Sequence, residues 1–284
     1  MVTRSFAQSR VLTKKSWSII RQNRYLLAFP VLGFLCSLVP LAALWIPAAV
    51  CFLANNNVAG AVLAVLGVFA NQIVISISGG ALVAAADAEF ANGSSSVGRG
   101  LGRAFARIIP LIGWALVATV VNVIVGLIRG RGGNGAADAL RNLAAAGVLA
   151  MWQLVTYFVL PHIMLEGSGP IAAIKQSFAL FKQTWGTQIF GGVRIGGMVG
   201  LVTILPGILL VVLGIVLATL DSAASIGIGA GLIVIGVLLF MAGALLLSTM
   251  RGIFSVVLYR YAKDGSTCGD FTADELAGAV RTSK

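Results

Sequence analysis

The stretch IGIGAGLIVIGVLLFMAGALLLSTMRGIFSVVLY, residues 226–259, carries one charged side chain, Arg251. At about 1.5 Å of helical rise per residue it exceeds the roughly 20 residues that cross the hydrocarbon of a bilayer. Five more apolar stretches precede it, at about Tyr25–Val50, Ala59–Ala86, Ile108–Ile128, Leu143–Leu165 and Ile189–Leu217. The sequence therefore predicts an all-α fold: a polytopic membrane helical bundle of about six transmembrane helices. The fifth and sixth stretches are longer than a crossing needs, so tilt, a kink at Pro206 or extension past the bilayer is expected.

Composition closes the alternative. Of 284 residues, 58% are hydrophobic and 10% are charged, against about 25% charged in a soluble domain. A water-soluble chain of this length could not hide so much apolar surface, whereas lipid removes the conflict.

The formal net charge is +11, and its distribution sets a direction. Arg4, Arg10, Lys14, Lys15, Arg21 and Arg24 precede the first span. Arg99, Arg103 and Arg107 lie between spans 2 and 3, Lys175 and Lys182 between spans 4 and 5, and Arg260, Lys263, Arg281 and Lys284 after span 6. Only Arg129, Arg131 and Arg141, in the glycine-rich loop RGRGGNGAADALRN (129–142), dissent. The positive-inside rule then predicts a multi-pass protein of the cell (plasma) membrane with both termini cytoplasmic. Residues 1–24 form a basic cytoplasmic amphipathic segment, 25–262 a six-span transmembrane domain and 263–284 a short cytoplasmic tail. Within the tail, Thr272 is a helix N-cap with Glu275 three residues on. The basic balance points to anionic lipid headgroups at the inner interface rather than to nucleic acid, for which no motif is present.

Chemistry-bearing motifs are sparse. Cys36 and Cys51 lie about 22 Å apart on one helix, beyond disulfide reach. No CxxC pair occurs and His162 is the lone histidine, so neither a metal site nor a cofactor is expected. The glycines of the 129–142 loop are not followed by Gly-Lys-Ser/Thr and spell no phosphate loop. No HExxH, paired Asp or Ser–His arrangement marks an enzyme.

The most specific local pattern is GSGPIAAIKQSFALFKQTWG, residues 167–186. Pro170 suits a first helical position. Ile171, Ile174, Phe178, Phe181 and Trp185 recur at spacings of three and four as one apolar stripe, with Lys175, Gln176, Lys182 and Gln183 opposite. The expectation is an interfacial amphipathic helix at about 170–186. SWSIIRQNRYLLAF (16–29) aligns with SFALFKQTWGTQIF (177–190), and GLGRAFARIIP (100–110) is a looser version. Each odd-numbered span thus follows a basic, partly apolar segment.

SWSIIRQNRYLLAFP, TYFVLPHIMLEGSGPIAAIKQSFALFKQTWG (156–186) and YRYAKDG (259–265) together resemble a family of uncharacterised six-span bacterial integral membrane proteins. The Glu-Gly-x-Gly-Pro-x-x-Ala-Ile pattern at 166–174 is also distantly similar to membrane domains fused to glycerophosphodiester phosphodiesterases. Their catalytic domain is absent here, so the resemblance implies a fold and a location but no reaction.

A charge inside a bilayer must face the bundle, water or the interface. Asp87, Glu89, His162, Glu166, Arg194 and Arg251 all fall at the cytoplasmic ends of spans, and an inner-leaflet network pairing an arginine with an acid is expected. Asn71, Gln72, Asn122, Gln153 and Thr156 read as hydrogen-bonding glue between helices. Gly192, Gly196 and Gly200 on span 5 and Gly227 with Gly231 on span 6 allow close helix approach, within the chain or in a homo-oligomer. The function that follows is a non-enzymatic membrane protein: a scaffold, a lipid-interacting factor or an accessory subunit. A small transporter or channel with its charge cluster at the cytoplasmic end is the rival.

Overall fold

The computed structural model describes residues 20–130, 135–185, 195–220 and 223–268, and every regular element among them is helical. Among the described residues, five helical stretches are long and apolar enough to cross a membrane: Arg24–Leu53, Asn57–Asn92, Ile108–Arg129, Asp138–Glu166 and Ser225–Asp264. A shorter apolar stretch, Leu205–Ala218, belongs to the helix at the expected fifth span. The N-terminal amphipathic segment (apart from its last residues), the tail helix and much of the internal alignment lie outside the described residues.

The chain divides into two compact units, Ala28–Thr184 and the pair of segments Met1–Leu27 and Trp185–Lys284. In the first unit the opening span is not one uniform helix. Helix α1 (Ala28–Pro40) passes through a π turn, Leu41–Trp45, into α2 (Ile46–Leu53). Proline lacks the N–H that an α-helical ladder needs. Pro40 closes α1 and Pro47 sits in the first turn of α2, so the irregular turn between them absorbs the missing donors.

After a short turn capped by the Asn56 side chain, which accepts from the Ala59 N–H at 3.2 Å, α3 runs from Asn57 to Asn92. It is the hub of this unit, packing against α1, α2, α4 (Val97–Ala106) and α5 (Ile108–Arg129). Small residues make this possible. Ala81 to Ala86 are all buried, and a Cβ built on Gly100 would lie 2.8 Å from the Ala81 carbonyl oxygen. Helix α4 therefore rests its backbone directly on α3.

Helix α6 (Ala136–Val155) returns alongside α5, and Trp114 stacks on Trp152 with ring centroids 5.7 Å apart. The fourth span then breaks at 156–158 and resumes through a π turn, His162–Glu166. Helix α7 (Pro170–Trp185) follows.

The second unit holds α8 (Ile195–Ala218) and α9 (Ala223–Asp264), packed along one another as a hairpin. Glycines at intervals of seven bring their backbones together. A Cβ on Gly214 would lie 2.6 Å from the Gly229 carbonyl, and one on Gly207 2.9 Å from the Gly236 carbonyl. Without Cβ atoms at these four places the helices approach to backbone contact, which maximises dispersion in a solvent giving no hydrophobic drive. Gly227 and Gly231, expected to allow close approach within the chain or in a homo-oligomer, have nothing of this chain within 4 Å of a built Cβ among the described residues. Within the chain, the closely packed pair on span 6 is Gly229 and Gly236, on a different face from Gly227 and Gly231. Of the span 5 series, Gly192 lies outside the described residues and Gly196 and Gly200 outside the described side chains.

Candidate functional site

The break in the fourth span is where polar chemistry concentrates. Thr156 donates its hydroxyl to the Trp152 carbonyl at 2.7 Å, and the helix stops there. Stopping leaves buried backbone groups that must find partners. Ser177, on α7, supplies two of them: its hydroxyl donates to the Val155 carbonyl at 2.6 Å and accepts from the Phe158 N–H at 3.1 Å. Ser177 is fully buried, and Phe181 one turn on lies 6.2 Å from the Phe158 ring. One serine thus rivets α7 to the broken end of the fourth span.

The turn that leads into α7 is equally fixed. Gly167 ends the π turn at φ +74°, a left-handed conformation that costs glycine little. The Arg107 guanidinium lies directly over it, and Pro170 packs on Gly113. These contacts bring the start of α5, the end of α4 and the start of α7 to the same end of the unit. Phe29, at the start of the first span, reaches that end too through its contact with Gly100.

Riveting one face of α7 decides what its other face presents. Ala173, Ser177 and Phe181 are buried. Ile171 and Phe178 stand 55% and 51% exposed, and Lys175 and Lys182 are exposed with them. Residues 171, 175, 178 and 182 follow spacings of four, three and four, so they form one stripe of alternating apolar and basic side chains. This corrects the expected layout. The five apolar positions do not act as one face, because Phe181 turns inward while Ile171 and Phe178 turn out, and the lysines lie between these rather than opposite. The outward stripe is what an interfacial helix needs: apolar groups to enter the acyl boundary and ammonium groups to meet headgroups.

Helix α4 repeats the design at the same end. Its N-cap Ser96 accepts from the Arg99 N–H at 3.3 Å. Gly100 and Ala104 face inward, while Arg99, Arg103, Phe105 and Arg107 are exposed. Five basic side chains from α4, the Arg107 junction and α7 therefore gather at one end of the Ala28–Thr184 unit. The sequence offered the basic and aromatic residues of this collar. Ser177, the residue that orients α7, carried no sequence signal beyond a serine in an amphipathic helix.

The expected charge network is only partly within view. His162 Nδ1 lies 3.0 Å from Glu166 Oε2, one helical turn away, with the imidazole buried. Asp87 and Glu89 are half-buried in the last turns of α3 and engage other groups. Arg251 belongs to the second unit and is exposed, and Arg194 lies outside the described residues. Among the expected glue residues, Asn122 and Gln153 are exposed, Gln72 is half-buried and Thr156 bonds to its own helix, while Asn71 Oδ1 is buried with no hydrogen-bond partner among the described residues.

A family model described as a family of unknown function (DUF6159) matches residues 58–269, well over half of the chain. These comparisons give no support to the likeness with phosphodiesterase-fused membrane domains. No curated protein and no solved structure matches the chain.

Proposed function

Since the chain belongs to this family of unknown function, we propose its role from its own residues: it is a non-enzymatic, multi-pass protein of the cell membrane that organises anionic lipid at the inner interface. It serves there as a scaffold or accessory subunit, with both termini cytoplasmic. The observation that carries this reading is the outward stripe Ile171–Lys175–Phe178–Lys182 on a helix whose other face is locked by Ser177. A helix that only needed to pack on the bundle would not keep Phe178 half exposed between two lysines. Helix α4, with Phe105 beside Arg99 and Arg103, extends the same surface. Basic residues near a bilayer each gain about 1 kcal/mol from anionic headgroups, so the five of the collar favour one end strongly and support placing it at the cytoplasmic face.

The test is a depth measurement. In a chain whose three cysteines are replaced by alanine, nitroxides are placed at Ile171→Cys, Phe178→Cys and Gln183→Cys in phosphatidylglycerol vesicles. Labels at 171 and 178 should be relaxed by oxygen and shielded from a water-soluble nickel chelate, and the label at 183 the reverse. Equal access of the chelate to all three would overturn the lipid reading. Aqueous labelling running from both sides through cysteines at Asn71 and Gln153 would replace the scaffold with a small transporter or channel. A phenotype abolished by both His162→Ala and Glu166→Gln at normal protein level would overturn the non-enzymatic reading.

A further inference from the structure

Between α5 and α6 the first unit has an open groove of about 510 Å3, lined by Val121, Ile124, Val125, Val148, Met151 and Trp152 among others, all apolar. That volume lies within the roughly 300–1,000 Å3 of small-molecule sites. Both helices are long enough to cross a bilayer, so the proposed membrane reading, on which this inference rests, puts the groove at acyl-chain depth. Its stripes lead to two arginines. Arg129 stands one turn beyond Val125 on α5, and Arg141 two turns before Val148 on α6, each in register with the groove lining. A Cβ built on Gly130 would lie 3.8 Å from an Arg141 guanidinium nitrogen, which brings the two arginine-bearing ends together. Asp138 pairs with Arg141 at 3.3 Å and offsets part of this charge, but the Arg141 side chain is still 58% exposed.

We propose that this groove binds one anionic glycerophospholipid, its acyl chain along Val125, Val148 and Trp152 and its phosphate between Arg129 and Arg141. Apolar length and basic mouth fit that one ligand class. From Arg141 to Val155 the α6 wall runs about 21 Å, more than the roughly 15 Å of one leaflet's hydrocarbon. The arginine mouth lies about 30 Å along α5 from Arg107 of the collar, at the opposite end of that helix. It also gives a role to arginines of the one loop that breaks the positive-inside pattern: they hold a lipid phosphate of the other leaflet.

The experiment counts lipids retained by the full chain, extracted in mild detergent from vesicles of equal phosphatidylglycerol and phosphatidylcholine, by native mass spectrometry. Wild type should keep one phosphatidylglycerol with about tenfold preference. Arg129→Gln with Arg141→Gln should erase the preference. Gly147→Leu should remove the lipid itself, since Gly147 lines the groove, a Cβ there meets nothing within 4 Å, and the larger side chain takes up groove volume. The collar variant Lys175→Gln with Lys182→Gln should leave this lipid in place. Retention unchanged by both groove variants overturns the proposal, as does loss in the collar variant alone, which would move the lipid to the inner interface. A dimer broken by Gly147→Leu would assign the groove to a second copy and overturn it as well. Since the nitroxide measurement reads only α7, the lipid-interface reading and the groove can fail separately.

Discussion

The α8–α9 hairpin and the Ala28–Thr184 unit solve one problem differently. Both must hold apolar helices together where lipid tails compete on equal terms with protein side chains, so that apolarity alone drives nothing. The hairpin does it by subtraction: Gly207, Gly214, Gly229 and Gly236 remove side chains until carbonyl oxygens touch the opposing backbone. The other unit breaks its spans and uses the breaks. Its spans are interrupted by π turns at Leu41–Trp45 and His162–Glu166 and by the 156–158 break, whose freed backbone groups Ser177 satisfies, as Ser96 does at the start of α4. Uninterrupted helices make a strut with little chemistry on it, whereas interrupted ones make places where a side chain can be aimed. The basic collar and the His162–Glu166 pair both belong to the interrupted unit.

The contrast breaks most visibly at Gly214 or Gly229. A leucine at either place drives a side chain into backbone that cannot rotate away. Overpacking costs about 1–3 kcal/mol, occasionally more, and a backbone clash belongs at the upper end. Gly214→Leu should lower the detergent-denaturation midpoint more than loss of the Ser177 hydroxyl or any change on an exposed face. A near-wild-type midpoint would mean that α8 and α9 do not touch along this line.

Ser177→Ala comes next. It leaves the half-buried Val155 carbonyl and the buried Phe158 N–H without the hydroxyl that serves both, a loss of about 1–3 kcal/mol. Protease cutting near 156–158 should rise with it, because α7 is no longer pinned to the break. If stability falls while cutting does not change, the serine is merely a packing residue. The double change Ile171→Ser with Phe178→Ser should barely move stability, since both side chains are already half exposed, but should shift a nitroxide at Ile174→Cys toward water.

The helical class and the places of the long apolar stretches were legible because a bilayer imposes length and hydropathy, and both are one-dimensional properties. The interruptions were only half legible. Pro40 and Pro47 announced a disturbance in the first span, and Pro161, which has no N–H for the Tyr157 carbonyl four residues back, announced one in the fourth, but that a serine more than a turn and a half into another helix takes up the freed groups depends on tertiary packing. The division of the α7 stripe was illegible for the same reason. Periodicity says which residues share a face, and only tertiary partners such as Val155 and Phe158 say which face is the inner one. The charged residues could be placed at span ends, but their pairing is a question of rotation and distance, visible within one turn for His162 and Glu166 and not across the chain.

The smallest expected effect tests this point most directly. Gly227 and Gly231 have the spacing of a helix-contact motif and stand within one turn of Gly229 on the same helix, yet a side chain at either would enter open space. Gly227→Leu and Gly231→Leu should therefore stay within about 0.5 kcal/mol of wild type, as exposed substitutions do. They should gain slightly where leucine improves helix propensity by nearly 1 kcal/mol over glycine. The comparison with Gly229→Leu holds sequence context almost constant and changes only the face. A large loss at Gly227 or Gly231 would show that this face is covered after all, and a change in the mass of the detergent-extracted particle would identify the cover as a second copy of the chain.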